Sequence, residues 1–145
     1  MLKARRNELT PTVIWNIEAG ADLSAQDYLD AERRRTIVYR SFRDLFTRAD
    51  LLVAPAASVV PWPNEISDVT TIDGAVLETP IDYLAVTFIV SLVGFPVLTV
   101  PVPCGQGELP FGLQIIAPPG CESRLFAFGR ILENELGFSH RPPPA

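Results

Sequence analysis

The sequence predicts an α/β fold, a small mixed sheet flanked by helices. Three observations carry this. An apolar stripe at helical spacing runs through residues 25–48. A short apolar run at 51–54 stops at Pro55. Two strand-like runs, 96–101 and 112–117, lead into a last amphipathic stretch. The order α, β, α, β, β, α places helices against a sheet.

Taken in order, residues 1–23 are polar, carry Pro11 and Gly20, and read as irregular. Ser24 followed by Asp27 has the spacing of a capping box. Beyond it, Tyr28, Ala31, Arg35, Val38, Phe42, Leu45 and Ala49 fall three or four apart, the face of a helix over Ala25 to Arg48. Arg35 interrupts that face, and a snorkelling or ion-paired arginine is favoured over an anion ligand. Leu51 to Ala54 reads as a buried strand. Residues 55–80 read as a long loop with five proline or glycine breaks (Pro55, Pro61, Pro63, Gly74, Pro80), and loops this long tend to be functional. Pro80 introduces a helix over Ile81 to Leu92, stopped by Gly94. Pro96 to Pro101 and Gly112 to Ala117 read as strands joined by a loop around Cys104 to Glu108. A closing helix from Glu122 to Leu136 carries Leu125, Phe128, Leu132 and Leu136 on one face, with Gly137 as its stop and an irregular tail at 138–145. The whole, 1–145, is read as a single domain.

Composition excludes several functions. Twelve basic against 17 acidic residues give a net charge of −5, the wrong sign for a nucleic-acid surface. The segment from Tyr83 to Gly107 has no charged residue and approaches the length of a membrane span. Pro96 lies inside it and would break a helix, so a buried helix, a turn and a strand account for it better. Hydrophobic residues make up 48%, an oily balance for a small chain that suggests part of its apolar surface is covered by something else. Cys104 and Cys121 have neither metal-ligand nor redox spacing, which points to reduced thiols, a cytoplasmic setting and no metal site. No phosphate-loop or dinucleotide fingerprint is seen, so no cofactor is expected.

Catalytic chemistry is sparse. His140 is the single imidazole and sits in the proline-rich tail, and Lys3 is the single lysine. No Ser-Ser pair or glycine-rich serine loop accompanies that lysine. A nucleophile needs a base within hydrogen-bond reach, and none is evident. Carboxylate pairs among the 17 acids are read as solvated helix faces.

Three segments carry a resemblance. Asp50-Leu51-Leu52-Val53-Ala54-Pro55 is similar to a "D-x-L-(L/V)-x-P" strand, and Gly94 to Pro101 to a "G-x-P-(A/V)-x-(S/T)-x-P" segment. Leu109 to Ile116 resembles "L-P-x-G-L-Q-(I/L)-(I/V)". In this order, with the closing helix and the arginine-rich helix after Tyr28, they resemble the C-terminal part of the amidase signature family. That resemblance implies amide hydrolysis through a lysine, a serine on a cis peptide and a nucleophilic serine, all upstream of the matched region. No catalytic residue is therefore assigned here. Where the family often has asparagine before its "Leu-x-Gly" step, this chain has Ser91. By resemblance the region completes a sheet and walls a substrate cleft, with Trp62, Thr87 and Ser91 as candidate wall residues. For Trp62 the plainer reading is a loop anchor, and for Thr87 a hydroxyl bonded to its own helical turn.

Two readings follow. The chain is the structural and substrate-cleft region of an amidase-type hydrolase, inactive alone. Alternatively it is a non-catalytic binding or assembly subunit from a truncated or split gene, or part of a tRNA-dependent amidotransferase subunit. The expected partners are the missing N-terminal catalytic part or a second copy meeting an exposed sheet edge, with a small amide as substrate in the full enzyme.

Overall fold

The computed structural model describes residues 5–66, 68–102 and 111–137. Lys3, Cys104, the turn at 104–108, His140 and the tail at 138–145 lie outside the described residues. The chain divides into two compact units, Met1–Val38 and Tyr39–Ala145.

In the first unit a short 3₁₀ turn at Arg6–Glu8 precedes a helix, Pro11–Ala21 (α1). The irregular structure expected for residues 1–23 is thus corrected. Pro11 occupies the first helical position, where its missing N–H costs nothing and its fixed φ suits the helix. Arg6 reaches Glu18 at 2.6 Å. The helix Ala25–Leu45 (α2) opens on the expected capping box. The Ser24 amide and hydroxyl donate to Asp27 Oδ2 at 2.9 and 2.6 Å, and the Asp27 amide returns a bond to Ser24 Oγ at 3.2 Å. The hydroxyl bond first, then the amide bond, holds the Asp27 carboxyl below its ordinary range. Arg35 pairs with Glu32 at 3.3 Å, the ion-paired state favoured from the sequence.

The second unit is built on a three-stranded sheet. Its strands are Leu52–Pro55 (β1), Val97–Val102 (β4) and Phe111–Ile116 (β5), in the order β1-β5-β4. The α/β class holds, but the sheet is antiparallel throughout rather than mixed. β1 and β4 run the same way, and β5 inserts between them, pairing Leu52 with Ile116 on one side and Val97 with Ile116 on the other. The helix Ala85–Val93 (α3) connects β1 to β4, so this is a βαβ unit split by a third strand. Inside the expected loop, Thr71–Ile72 (β2) and Ala75–Val76 (β3) form a two-residue hairpin. Its turn, Asp73-Gly74, takes positive φ at both positions, 48° and 78°.

Being central, β5 is buried from Gln114 through Ile116. Its two faces are covered differently. Ile115, with Val100, Ala117 and Leu125, forms the apolar core, against which Leu98, Leu113, Phe128 and Leu132 pack. The helix Glu122–Glu135 (α4) closes over that face. It approaches so nearly that a methyl group at Gly129 would run into Leu98 Cδ2. Near the other end, Phe95 is buried and receives Tyr39, Phe42 and Phe46, with ring centroids 5.3, 5.6 and 5.7 Å away. Gly94, at φ 69°, ends α3 by donating its amide to Val90 and Ser91 carbonyls.

On the face opposite the Leu125 cluster, Gln114 is 4% exposed. Its Nε2 donates to the Pro55 carbonyl at 2.8 Å and to the Val86 carbonyl at 2.7 Å. One side chain therefore joins the middle strand, the end of β1 and the start of α3. Gln114→Leu keeps the volume and removes both donors. The expected loss is about 2–4 kcal/mol, since two carbonyls lose a partner. It should appear as a lower urea midpoint at unchanged slope. A midpoint equal to that of the parent chain would mean that both carbonyls are satisfied by water.

Candidate functional site: an uncharged cleft beside the first strand

Beyond β1 the backbone is still held to the sheet, the Ala56 amide donating to the Gly112 carbonyl at 2.8 Å. A Cβ at Gly112 would lie 3.1 Å from Ala56 Cβ, so glycine there lets the two segments approach. The chain then turns away through residues 57–61 to Trp62. That ring is fixed at both ends. Its Nε1 donates to the Ile66 carbonyl at 2.9 Å, and it stands edge to face with Tyr83 at a centroid distance of 5.7 Å and 85°.

Tyr83 belongs to a 3₁₀ turn, Asp82–Leu84, that leads into α3. A clasp between Thr79 and Asp82 holds the start of this turn, the Asp82 amide donating to the Thr79 carbonyl at 3.2 Å. The Thr79 amide and hydroxyl donate to Asp82 at 2.8 and 2.6 Å. The Thr79 hydroxyl first, then the Thr79 amide, holds the Asp82 carboxyl below its usual range.

These two segments enclose a cleft of about 230 Å³, lined by Ala56, Ala57, Ser58, Val59, Trp62, Tyr83, Leu84, Val86 and Thr87. No Asp, Glu, Lys, Arg or His is among them. Two of the three residues named from the sequence, Trp62 and Thr87, come together here. The Thr87 hydroxyl donates to the Leu84 carbonyl at 2.8 Å, inside its own helix. Ser91 stands one turn further along, exposed and outside the lining, its hydroxyl donating to the Thr87 carbonyl at 3.2 Å. Sequence reasoning missed Tyr83 and the Ala56 to Val59 wall. The signal for Tyr83 was present, because Thr79-x-x-Asp82 repeats the spacing of Ser24-x-x-Asp27.

Trp62 also borders a larger hollow of about 390 Å³ with Pro61, Pro63 and Val69. The smaller cleft is the better candidate because the Gln114 bridge sets both of its walls. Among the described residues no group of three or more His, Cys, Asp or Glu is placed to hold a metal ion. Among them, too, no helix is long and apolar enough to cross a membrane.

An antiparallel sheet split into a βαβ unit, with an uncharged cleft beside the crossover, thus defines an α/β protein whose pocket has no acid–base pair. Comparison with known proteins makes that class specific. A family model described as Amidase matches residues 1–126, and the chain belongs to this family. A chloroplastic/mitochondrial glutamyl-tRNA(Gln) amidotransferase subunit of Sorghum bicolor is 34% identical over 153 residues, covering 97% of this chain and 27% of the relative. The corresponding glutamyl-tRNA(Gln) amidotransferase subunit of Zymomonas mobilis is 34% identical over 118 residues, covering 79% of this chain and 22% of the relative. A bacterial aryl acylamidase, described as an amidase signature enzyme, superimposes with a TM-score of 0.82 at 25% identity, over 97% of this chain and 31% of that one. The chain therefore spans between about a fifth and a third of the length of these relatives.

The Thr79–Asp82 clasp has a pH signature. Its folded pKa lies below the unfolded carboxylate value of about 3.9. Its stabilisation is therefore present above that value and is lost as pH falls through the folded pKa. Trp62 emission in a Trp15→Phe background should be flat from neutral pH to about 4 and change progressively below it. In Asp82→Ala the altered emission should already be present at neutral pH, and an acid response identical to that of the parent would exclude the Thr79–Asp82 clasp as its source.

Proposed function

We propose that this chain supplies framework and one substrate-facing wall to an amidase-type hydrolase, and that the reacting side chains lie outside it. The observation that carries this is the neutral lining of the cleft. A hydroxyl nucleophile needs a base in hydrogen-bond contact, and the Ser58 and Thr87 hydroxyls have no ionised residue beside them in that lining. Trp62 and Thr87 act in this reading as wall residues, not as reacting groups.

The partner is then the remainder of an amidase fold. A second copy is the alternative, since β1 and β4 carry no neighbour on their outer edges among the described residues. The names of the relatives favour a further reading, in which the chain is part of an amidotransferase subunit rather than a free-standing amidase. A cytoplasmic setting belongs to the proposal as well, supported by the free thiol of Cys121.

The test is direct. The purified chain, assayed with acetanilide and with glutamine, should release no aniline or ammonia above buffer. Turnover that disappears when one of its own residues is substituted would overturn the framework role. Sedimentation across a wide concentration range separates the partners: self-association through an edge predicts a rising mass, and an unchanging monomer leaves the remainder of an amidase fold.

A further inference from the structure

The cleft's chemistry narrows what it would face. We propose that it takes an uncharged, single-ring aromatic portion of an amide substrate and discriminates against zwitterionic amides such as free glutamine. This rests on the wall role proposed above and adds a substrate class to it.

Size comes first. A dry cavity of about 150 Å³ is enough to admit benzene, whereas pockets for drug-sized ligands begin near 300 Å³. At about 230 Å³ the cleft matches one substituted ring. The surroundings fit the same occupant. Val59, Leu84 and Val86 are apolar, and the Trp62–Tyr83 pair already stands edge to face, the arrangement a third ring would extend.

Charge decides against the alternative. Free glutamine brings an ammonium and a carboxylate, and burying either without a counter-charge or bonding partners is costly. The lining offers no such charge, and the neighbouring Asp82 carboxylate is occupied by the Thr79 amide and hydroxyl. Two other polar groups are also committed, the Trp62 indole to Ile66 and the Thr87 hydroxyl to Leu84. What remains is neutral. The Ser58 and Tyr83 hydroxyls hold no hydrogen bond among the described residues, so they are free to meet an amide N–H or carbonyl.

The experiment uses the intact chain and two-dimensional NMR of its two indole N–H groups, assigned with Trp15→Phe. Trp15 lies in α1 and serves as the internal control. Acetanilide should shift the Trp62 signal and leave Trp15 unmoved. Glutamine should need at least about tenfold higher concentration for the same shift, the penalty for an unpaired buried charge. Leu84 is 40% exposed, so a polar side chain there can reach solvent, and Leu84→Asp should weaken acetanilide about tenfold. Equal response to glutamine, or no response to acetanilide, overturns the proposal and leaves the framework role standing. Hydrolysis by the chain itself would overturn the framework role and leave this preference intact.

Discussion

The amide of Gln114 holds together parts of the chain that are distant in sequence. It reaches the Pro55 carbonyl 59 residues away and the Val86 carbonyl 28 residues away. An –NH₂ group has two donors at a fixed angle, so it can hold two carbonyls at a set separation. A carbonyl near a helix start can accept a side-chain donor in addition to its helical one, because it has two lone pairs. The consequence reaches the cleft. One wall is the segment that leaves Pro55, and the other is the helix turn that contains Val86. The width between them follows from one buried side chain on a central strand.

Apolar packing explains why the bridge stays in place. The Leu125 side of β5 is sealed by α4, with Gly129 allowing the close approach. The other face carries α3, tied to it by the Gln114–Val86 bond, and its sequence AVTFIVSLV is uncharged, with only the Thr87 and Ser91 hydroxyls among apolar side chains. Such a helix is usually covered on more than one side, yet only Val90 and Val93 are buried, and Phe88, Ile89 and Leu92 stay open to solvent. That imbalance fits a framework role within a longer fold.

Much of this is legible in the sequence because local signals and tertiary packing agree. The capping box at Ser24, the stop at Gly94, the two strands and the closing helix all follow from periodicity and turn chemistry. Failures come where one residue has two meanings. Pro11 reads as a breaker in a polar segment, but at a first helical position proline is an initiator. Asp73-Gly74 disappears into a loop rich in breaks, although that dipeptide is a strong hairpin signal. Strand directions stay hidden because β5 pairs between β1 and β4, and no local pattern encodes neighbour order. Trp62 and Thr87 follow from resemblance and the cleft brings them together; Ser91 lies outside it, since a step of four residues moves a full turn along the helix.

The neutrality of the cleft is a matter of placement, not of composition. The chain carries 17 acidic and 12 basic residues, and among the described residues none of them lines it. The ionised groups are used elsewhere, in helix caps and short ion pairs such as Arg33–Asp30 and Arg124–Asp50. Those pairs are exposed, so each contributes little and salt weakens it. Inside a partly desolvated cleft the same charges would act strongly on any titratable group opposite. A carboxylate would raise the pKa of a neighbouring base, and an arginine would lower it. A wall of methyl groups and rings avoids both effects. In the proposed wall role it would exclude water and orient an apolar group, while leaving proton affinities to the side chains that complete the site. On the framework role proposed above, the absence of charge is therefore the useful property.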